Sequence, residues 1–450
     1  MPLRAYLRTL AQQADLSRIR SLVDPDLEMA AVCRREFRRA NGGHALLFEA
    51  LRDSPVRAAA NLFGSESRML AILRRPHVEA FSTSIRELLG AHAGSSQTRL
   101  RKISAAGSLA HTTTGNCSLS RLCLNDLPGV RSWPGEQGRY LTLALVQTLD
   151  LAEGHGNLGL YRAAILPDGQ LALNFSAGSG ADRHLQLAEA RGEPLPVAII
   201  LGADPALTWA AAAPLPPGCC EYGFSRALIT PELALSRCNS QPLLVPAAAE
   251  VIIEGEIRPG ARTSEGPFGN HTGQYVRRAD CPLMTVTAIR HRDCPIVPIT
   301  VVGPPPSENI YLGRMNEILL REMLRIDYAP VRDFYMPVMT MFHGVGILAL
   351  AGSSLNEVAD LIADLWSSTP LKRSKLLILV DDDINIRDSA MSWWRVVNQL
   401  HPRRVHHQDG RLIIDATGID RVKLVAEDSA TTALLHRRDY DRVTDGKTDL

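Results

Sequence analysis

The stretch Glu265-Gly266-Pro267-Phe268-Gly269-Asn270-His271-Thr272-Gly273 sets a carboxylate among glycines and a proline and ends in polar side chains. A loop of that composition can aim an acid or base into a pocket. It can equally be an ordinary surface turn, because Gly-Pro and Gly-Asn are common loop punctuation. Arg162, after Tyr161 at the end of a half-apolar strand pattern, is a second candidate. Turned inward, its guanidinium offers two parallel hydrogen bonds to a substrate carboxylate, whereas on a strand edge it would face solvent. Asp381, Asp382 and Asp383 end an apolar run and could hold Mg²⁺, or form a solvated loop that caps the next helix. The eight cysteines, Cys33, Cys117, Cys123, Cys219, Cys220, Cys238, Cys281 and Cys294, show no C-x-x-C pair or other zinc spacing. A chain this long needs no disulfide staples, so they read as reduced thiols of a cytoplasmic protein.

The elements that must position these groups follow from periodicity. Leu3, Leu7 and Leu10 share a helical face, and Asp24-Pro25 predicts an N-cap with Pro at the first position of a second helix carrying Leu27, Ala30 and Ala31. Ala45 to Phe48 is a short strand-like run, and the polar, glycine-containing stretch from Gly90 to Gly115 closes an N-terminal α/β domain over residues 1–115. Residues 116–305 carry short β-rich runs at Tyr140 to Val146, Leu158 to Ile165, Val197 to Leu201, Glu250 to Ile257 and Met284 to Ile289, a barrel-like pattern. Leu312, Met315, Leu319 and Met323 predict a linking helix over 306–327. The run Leu376 to Val380 predicts a buried strand in a last α/β domain over 328–450.

At 450 residues and 45% hydrophobic content the chain can bury more than one core. A net charge of +1 gives no electrostatic case for nucleic acid or an anionic membrane surface. The N-terminus has no signal-peptide apolar core, and the most apolar region, Val197 to Leu215, is broken by Asp204 and two prolines, so no membrane span is expected. Small molecules and further copies of the chain are the expected partners.

The 265–273 stretch resembles the signature of the UbiD family of decarboxylases, which use a prenylated flavin mononucleotide. The resemblance runs along the chain through Val23-Asp24-Pro25-Asp26-Leu27-Glu28, Ala45-Leu46-Leu47-Phe48-Glu49, Asn61-Leu62-Phe63-Gly64, Asn157-Leu158-Gly159-Leu160-Tyr161-Arg162, Leu201-Gly202-Ala203-Asp204-Pro205, Glu221-Tyr222, Val245-Pro246-Ala247, Gly303-Pro304-Pro305 and Asp381-Asp382-Asp383-Ile384-Asn385. It implies a central split β-barrel of flavin-reductase type between two α/β domains, the last supporting a homo-oligomer. It pairs Arg162 with Glu265 and places the cofactor along Asn157, Leu158, Gly159, Leu160, Tyr161 and Arg162. Asn157, His184 and Glu221 match the family's ligands for Mn²⁺ (or Mg²⁺), with K⁺ nearby, at the flavin phosphate. The Gly178-Ser179-Gly180 piece near His184 is too short to read as a dinucleotide loop. A separate flavin prenyltransferase is implied as the cofactor's source.

The implied activity is non-oxidative decarboxylation, a reaction that can run in reverse, of an aromatic, heteroaromatic or α,β-unsaturated acid. A flavin-binding or flavin-reductase-like protein without lyase activity is the alternative. Asn270 is a departure, since family members that match this loop closely often carry Glu or Asp there, assigned to the proton that replaces CO₂; an amide has no such proton to give. His271, Glu265 or a bound water is left to deliver it, or Asn270 orients a substrate whose own hydroxyl or ring nitrogen shares the work.

Overall fold

The computed structural model describes residues 1–107, 113–115, 117–119, 122–340, 344–352, 360–365, 371, 374–408 and 410–418. Residues 419–450 of the expected last domain lie outside that set. The run Leu195–Leu201 shows how the fold is organised. Successive side chains of a strand point to opposite faces, and here Leu195, Val197, Ile199 and Leu201 enter one core while Ala198 and Ile200 enter another. Both faces are covered, which is why the sequence is apolar without alternation.

That strand lies inside an antiparallel, curled half-barrel sheet. The order is Arg139–Leu141, Ala163–Ile165, Gln170–Leu173, Tyr275–His291, Val251–Gly269, Leu195–Leu201, Leu145–Asp150 and His155–Leu160, with Ser118–Leu119 pairing off this path. On one side pack the helices Leu3–Gln12 and Asn309–Asp327, through Leu3, Leu10, Met315 and Leu319. The other core holds Phe48, Ala58, Val297 and Ile299 of a four-stranded sheet ordered Leu16–Val23, Ala45–Leu51, Arg57–Ala60 and Ile296–Ile299. Its last strand comes from far along the chain, so the first sheet is completed only after the central one has been threaded. A third sheet runs Val331–Tyr335, Val345–Leu350, Leu376–Asp381, Arg411–Asp415 and Val405–Gln408, with its three inner strands parallel. The mixed α/β class and three-part layout expected from the sequence are present.

Several local expectations need correction. The second helix is Glu28–Phe37, not a helix begun at Pro25, because Leu27 takes φ +67° and Asp24 Oδ1 instead accepts from the Asp26 N–H in a local turn. The polar stretch after Gly90 contains the helix Ser96–Ala106, capped by Ser95 and anchored by buried Leu100 and Ile103. Tyr140 to Val146 and Leu158 to Ile165 are each divided between two strands, and the linking helix begins at Asn309. All eight cysteines are free thiols. Among the described residues no helix is long and apolar enough to cross a membrane.

Candidate active site

Glu265 sits within the long strand Val251–Gly269, not in a turn. The register shifts on both sides of it, the one between Glu265 and Phe268 absorbing the glycine and proline, and Gly266 holds φ +94° where a Cβ would lie 2.5 Å from the Val276 carbonyl oxygen. Such bulges re-aim a side chain without ending a strand. Arg162 occupies the two-residue break between His155–Leu160 and Ala163–Ile165. The two meet as a fork, Arg162 Nε to Glu265 Oε1 at 2.7 Å and Nη2 to Oε2 at 2.7 Å, with Asn174 Nδ2 adding a third donor to Oε2 at 3.0 Å. The Glu265 carboxylate is fully buried while the Arg162 side chain keeps 18% exposure. The guanidinium carbon stacks 4.2 Å above the Phe268 ring, which meets Tyr140 edge-on at 4.8 Å, so the fork's plane is fixed from below.

Beyond the strand, Asn270 and His271 form the hairpin tip. Asn270 Oδ1 accepts from the Thr272 N–H at 2.8 Å and from Thr272 Oγ1 at 2.6 Å, so its carboxamide oxygen closes the turn. His271 is half-buried, and burial lowers its pKa from the ordinary imidazole value.

At the other end of the same motif, Asn157 stands opposite Thr148, and Thr148 Oγ1 lies 2.9 Å from His184 Nδ1. Cross-strand partners share a face, which brings Asn157 and His184 together. The Leu158 N–H donates to Glu221 Oε2 at 2.9 Å, adding the third expected ligand. Burial lowers His184 to about 4, keeping the imidazole neutral, and pushes the Glu221 carboxyl up to about 7. Asn157 Nδ2 is buried with no hydrogen-bond partner, and the Asn157 amide presses so close to Gly180 that a Cβ there would sit 1.7 Å from Oδ1. A neutral imidazole, a carboxyl with no cation beside it and the Asn157 carboxamide oxygen are donor types that suit a divalent cation, whereas the orphaned Asn157 Nδ2 is a hydrogen-bond donor and suits an anionic oxygen. Between the clusters, Leu158 is core, Leu160 is half-buried and Gly159 lies under the Tyr161 ring, which packs edge-on against Phe175 at 5.0 Å.

No local pattern marks the segment that grips the hairpin. Glu136 accepts from the Gly269 N–H at 2.9 Å, the Ser132 N–H at 2.6 Å and the Trp133 N–H at 3.2 Å, and burial raises its pKa from the ordinary carboxyl value. Trp133 Nε1 donates to the Val302 carbonyl at 2.7 Å while its ring covers Gly269 and Gly303, where any Cβ would come within 2.4 Å of the indole. Glu136→Ala strands three N–H groups, two of them in buried hydrogen bonds, and should lower stability by about 3 kcal/mol, measured as a shift in the urea midpoint. An unchanged midpoint would show that the segment does not hold the strand.

Asp381 is engaged elsewhere, accepting from Arg395 and from the Gly418 N–H, and Asp388 caps the helix Ser389–Gln399. The aspartate run therefore neither caps that helix nor leaves Asp381 free for Mg²⁺. Among the described residues no three His, Cys, Asp or Glu side chains gather as a metal cluster, so a metal site here depends on the Asn157 amide.

Three family models match in sequence along the chain, described as the 3-octaprenyl-4-hydroxybenzoate carboxy-lyase N-terminal domain over residues 7–88, its Rift-related domain over 110–305 and its C-terminal domain over 310–418. The chain belongs to the UbiD family. An uncharacterized protein of Archaeoglobus fulgidus is 31% identical over 409 residues, covering 89% of this chain and 85% of the relative. Among solved UbiD-class structures, an evolved dimeric form of HmfF from Pelotomaculum thermopropionicum in complex with prFMN is 25% identical with a TM-score of 0.78, covering 94% of this chain and 99% of that one. Vanillic acid decarboxylase of Sedimentibacter hydroxybenzoicus, in its closed form, shares the fold with a TM-score of 0.83 at 24% identity, covering 97% and 98%.

Proposed function

We propose that this UbiD-family protein is a prenylated-FMN-dependent carboxy-lyase that decarboxylates an aromatic, heteroaromatic or α,β-unsaturated acid without net oxidation. The observation that carries the reading is the fork: Arg162 uses two of its five N–H donors on buried Glu265, and the others have no partner among the described residues. That free edge suits the carboxylate of a substrate, held in plane by the Phe268 ring beneath it. When bound, prenylated FMN supplies the electron sink that loss of CO₂ from an sp² carbon requires. Asn157, His184 and Glu221 would hold Mn²⁺ or Mg²⁺, with K⁺ nearby, to neutralise the flavin phosphate.

For the proton that replaces CO₂, we assign Glu265 as relay. Asn270 has no acidic proton, and its side-chain oxygen is occupied by Thr272. Burial lowers the His271 pKa, which disfavours the charged imidazolium as the donor. Glu265 Oε1 accepts from Arg162 Nε alone among the described residues, which leaves it a lone pair where a proton delivered by a bound water can be passed to the vacated carbon. Exposed Trp393 and Val397 on the helix Ser389–Gln399, with exposed Leu400 at its C-cap, support self-association. Free thiols throughout suit a cytoplasmic setting.

The test is to produce the protein with and without a flavin prenyltransferase and measure CO₂ release from a panel of such acids. Activity is expected only after co-production. Equal CO₂ release from both preparations would overturn the dependence on the prenylated cofactor.

A further inference from the structure

We propose that Asn174 is a positioning residue for Glu265: by closing Oε2 it leaves the carboxylate one open direction, on Oε1, through which the proton must pass. The inference rests on the assignment of Glu265 as relay. Asn174 follows the strand Gln170–Leu173, and its backbone N–H donates to the Arg162 carbonyl at 3.1 Å while its Nδ2 donates to Glu265 Oε2 at 3.0 Å. One residue thus ties the main chain of one partner to the side chain of the other. The amide's orientation follows from chemistry, since an ionised carboxylate only accepts and the carboxamide must present its nitrogen.

A carboxylate offers about four lone-pair directions. Arg162 Nε occupies one on Oε1, Arg162 Nη2 one on Oε2, and Asn174 the second on Oε2. Among the described residues no other side chain donates to either oxygen. The Arg162 fork alone treats the two oxygens alike, so Asn174 is what distinguishes them. The other ionisable groups nearby are placed differently: Arg278, the cross-strand neighbour of Glu265, donates to the Phe175 carbonyl and to Asp280, Tyr140 donates to the Gln137 carbonyl, and Cys281 donates to the Leu173 carbonyl.

The experiment uses cofactor-loaded, full-length wild type, Asn174→Ala and Asn174→Asp. Asn174→Ala should lower kcat about 10-fold, the scale of one hydrogen bond to a charged group, with KM within about 2-fold. Asn174→Asp, which sets an acceptor against Oε2, should lower kcat about 100-fold and enlarge the solvent deuterium isotope effect. A purely structural role would instead reduce thermal stability and kcat together without that isotope effect, and this result would overturn the proposal, as would wild-type kcat in Asn174→Ala. A readout independent of activity is the carboxamide resonance of Asn174 in ¹⁵N-labelled protein, assigned by its loss in Asn174→Asp. It should show one downfield, slowly exchanging proton, and an ordinary solvent-exposed pair would contradict the contact. Absence of CO₂ release by wild type would sink the functional reading, while the resonance would still decide the contact.

Discussion

Arg162→Lys is expected to lower kcat/KM by about 10³-fold while the protein stays folded and loads its flavin. A lysine ammonium is a point charge, so it cannot hold Glu265 by two prongs and still present a second planar edge to a substrate carboxylate. The loss has two parts. Lysine keeps the charge but loses the two-pronged, planar hold on Glu265 and the second edge for the substrate, and misaligned reacting groups forfeit much of the advantage of holding them in place. Glu265→Gln should act in the same direction, since the amide keeps the shape but meets the guanidinium with a donor on one side. Steady-state CO₂ release, with circular dichroism and flavin absorbance as controls, measures both. Near-wild-type turnover in either variant would remove the fork from the chemistry.

The second large effect is expected at the other end of the motif. Glu221→Ala should lose bound divalent metal and flavin together, because an ion that bridges protein and phosphate links the two occupancies. Asn157→Ala should do the same, since it removes the carboxamide oxygen assigned to the ion. The drop in metal affinity should be at least the roughly 10-fold that loss of a supporting partner costs at metal sites. Metal analysis and flavin absorbance per mole of purified protein report it. Full flavin occupancy with the metal gone would show that the ion does not bridge.

Arg162 and Glu265 are 103 positions apart, and the motifs around them were legible because each carries residue types that chemistry needs. Asn174, Trp133 and Glu136 were not legible, because they act through hydrogen bonds to residues distant in sequence and through a ring laid over Gly269 and Gly303. No local pattern marks such contacts. The turn reading around Glu265 failed for a related reason: Gly266-Pro267 looks like loop punctuation until pairing with Tyr275–His291 turns it into a bulge. The apolar runs were clearest where both faces are buried, as in Leu195–Leu201, and the helix Ser96–Ala106 was obscured because few of its residues face the core.

If the Arg162–Glu265 fork serves loss of CO₂ with replacement by a proton, a single-turnover reaction of cofactor-loaded protein in heavy water with an accepted acid should release one CO₂ and fix one deuterium at the vacated carbon per turnover, both abolished by Glu265→Gln in equally loaded protein. Flavin reduction by a nicotinamide donor, with no CO₂ released from any acid tried, would contradict it.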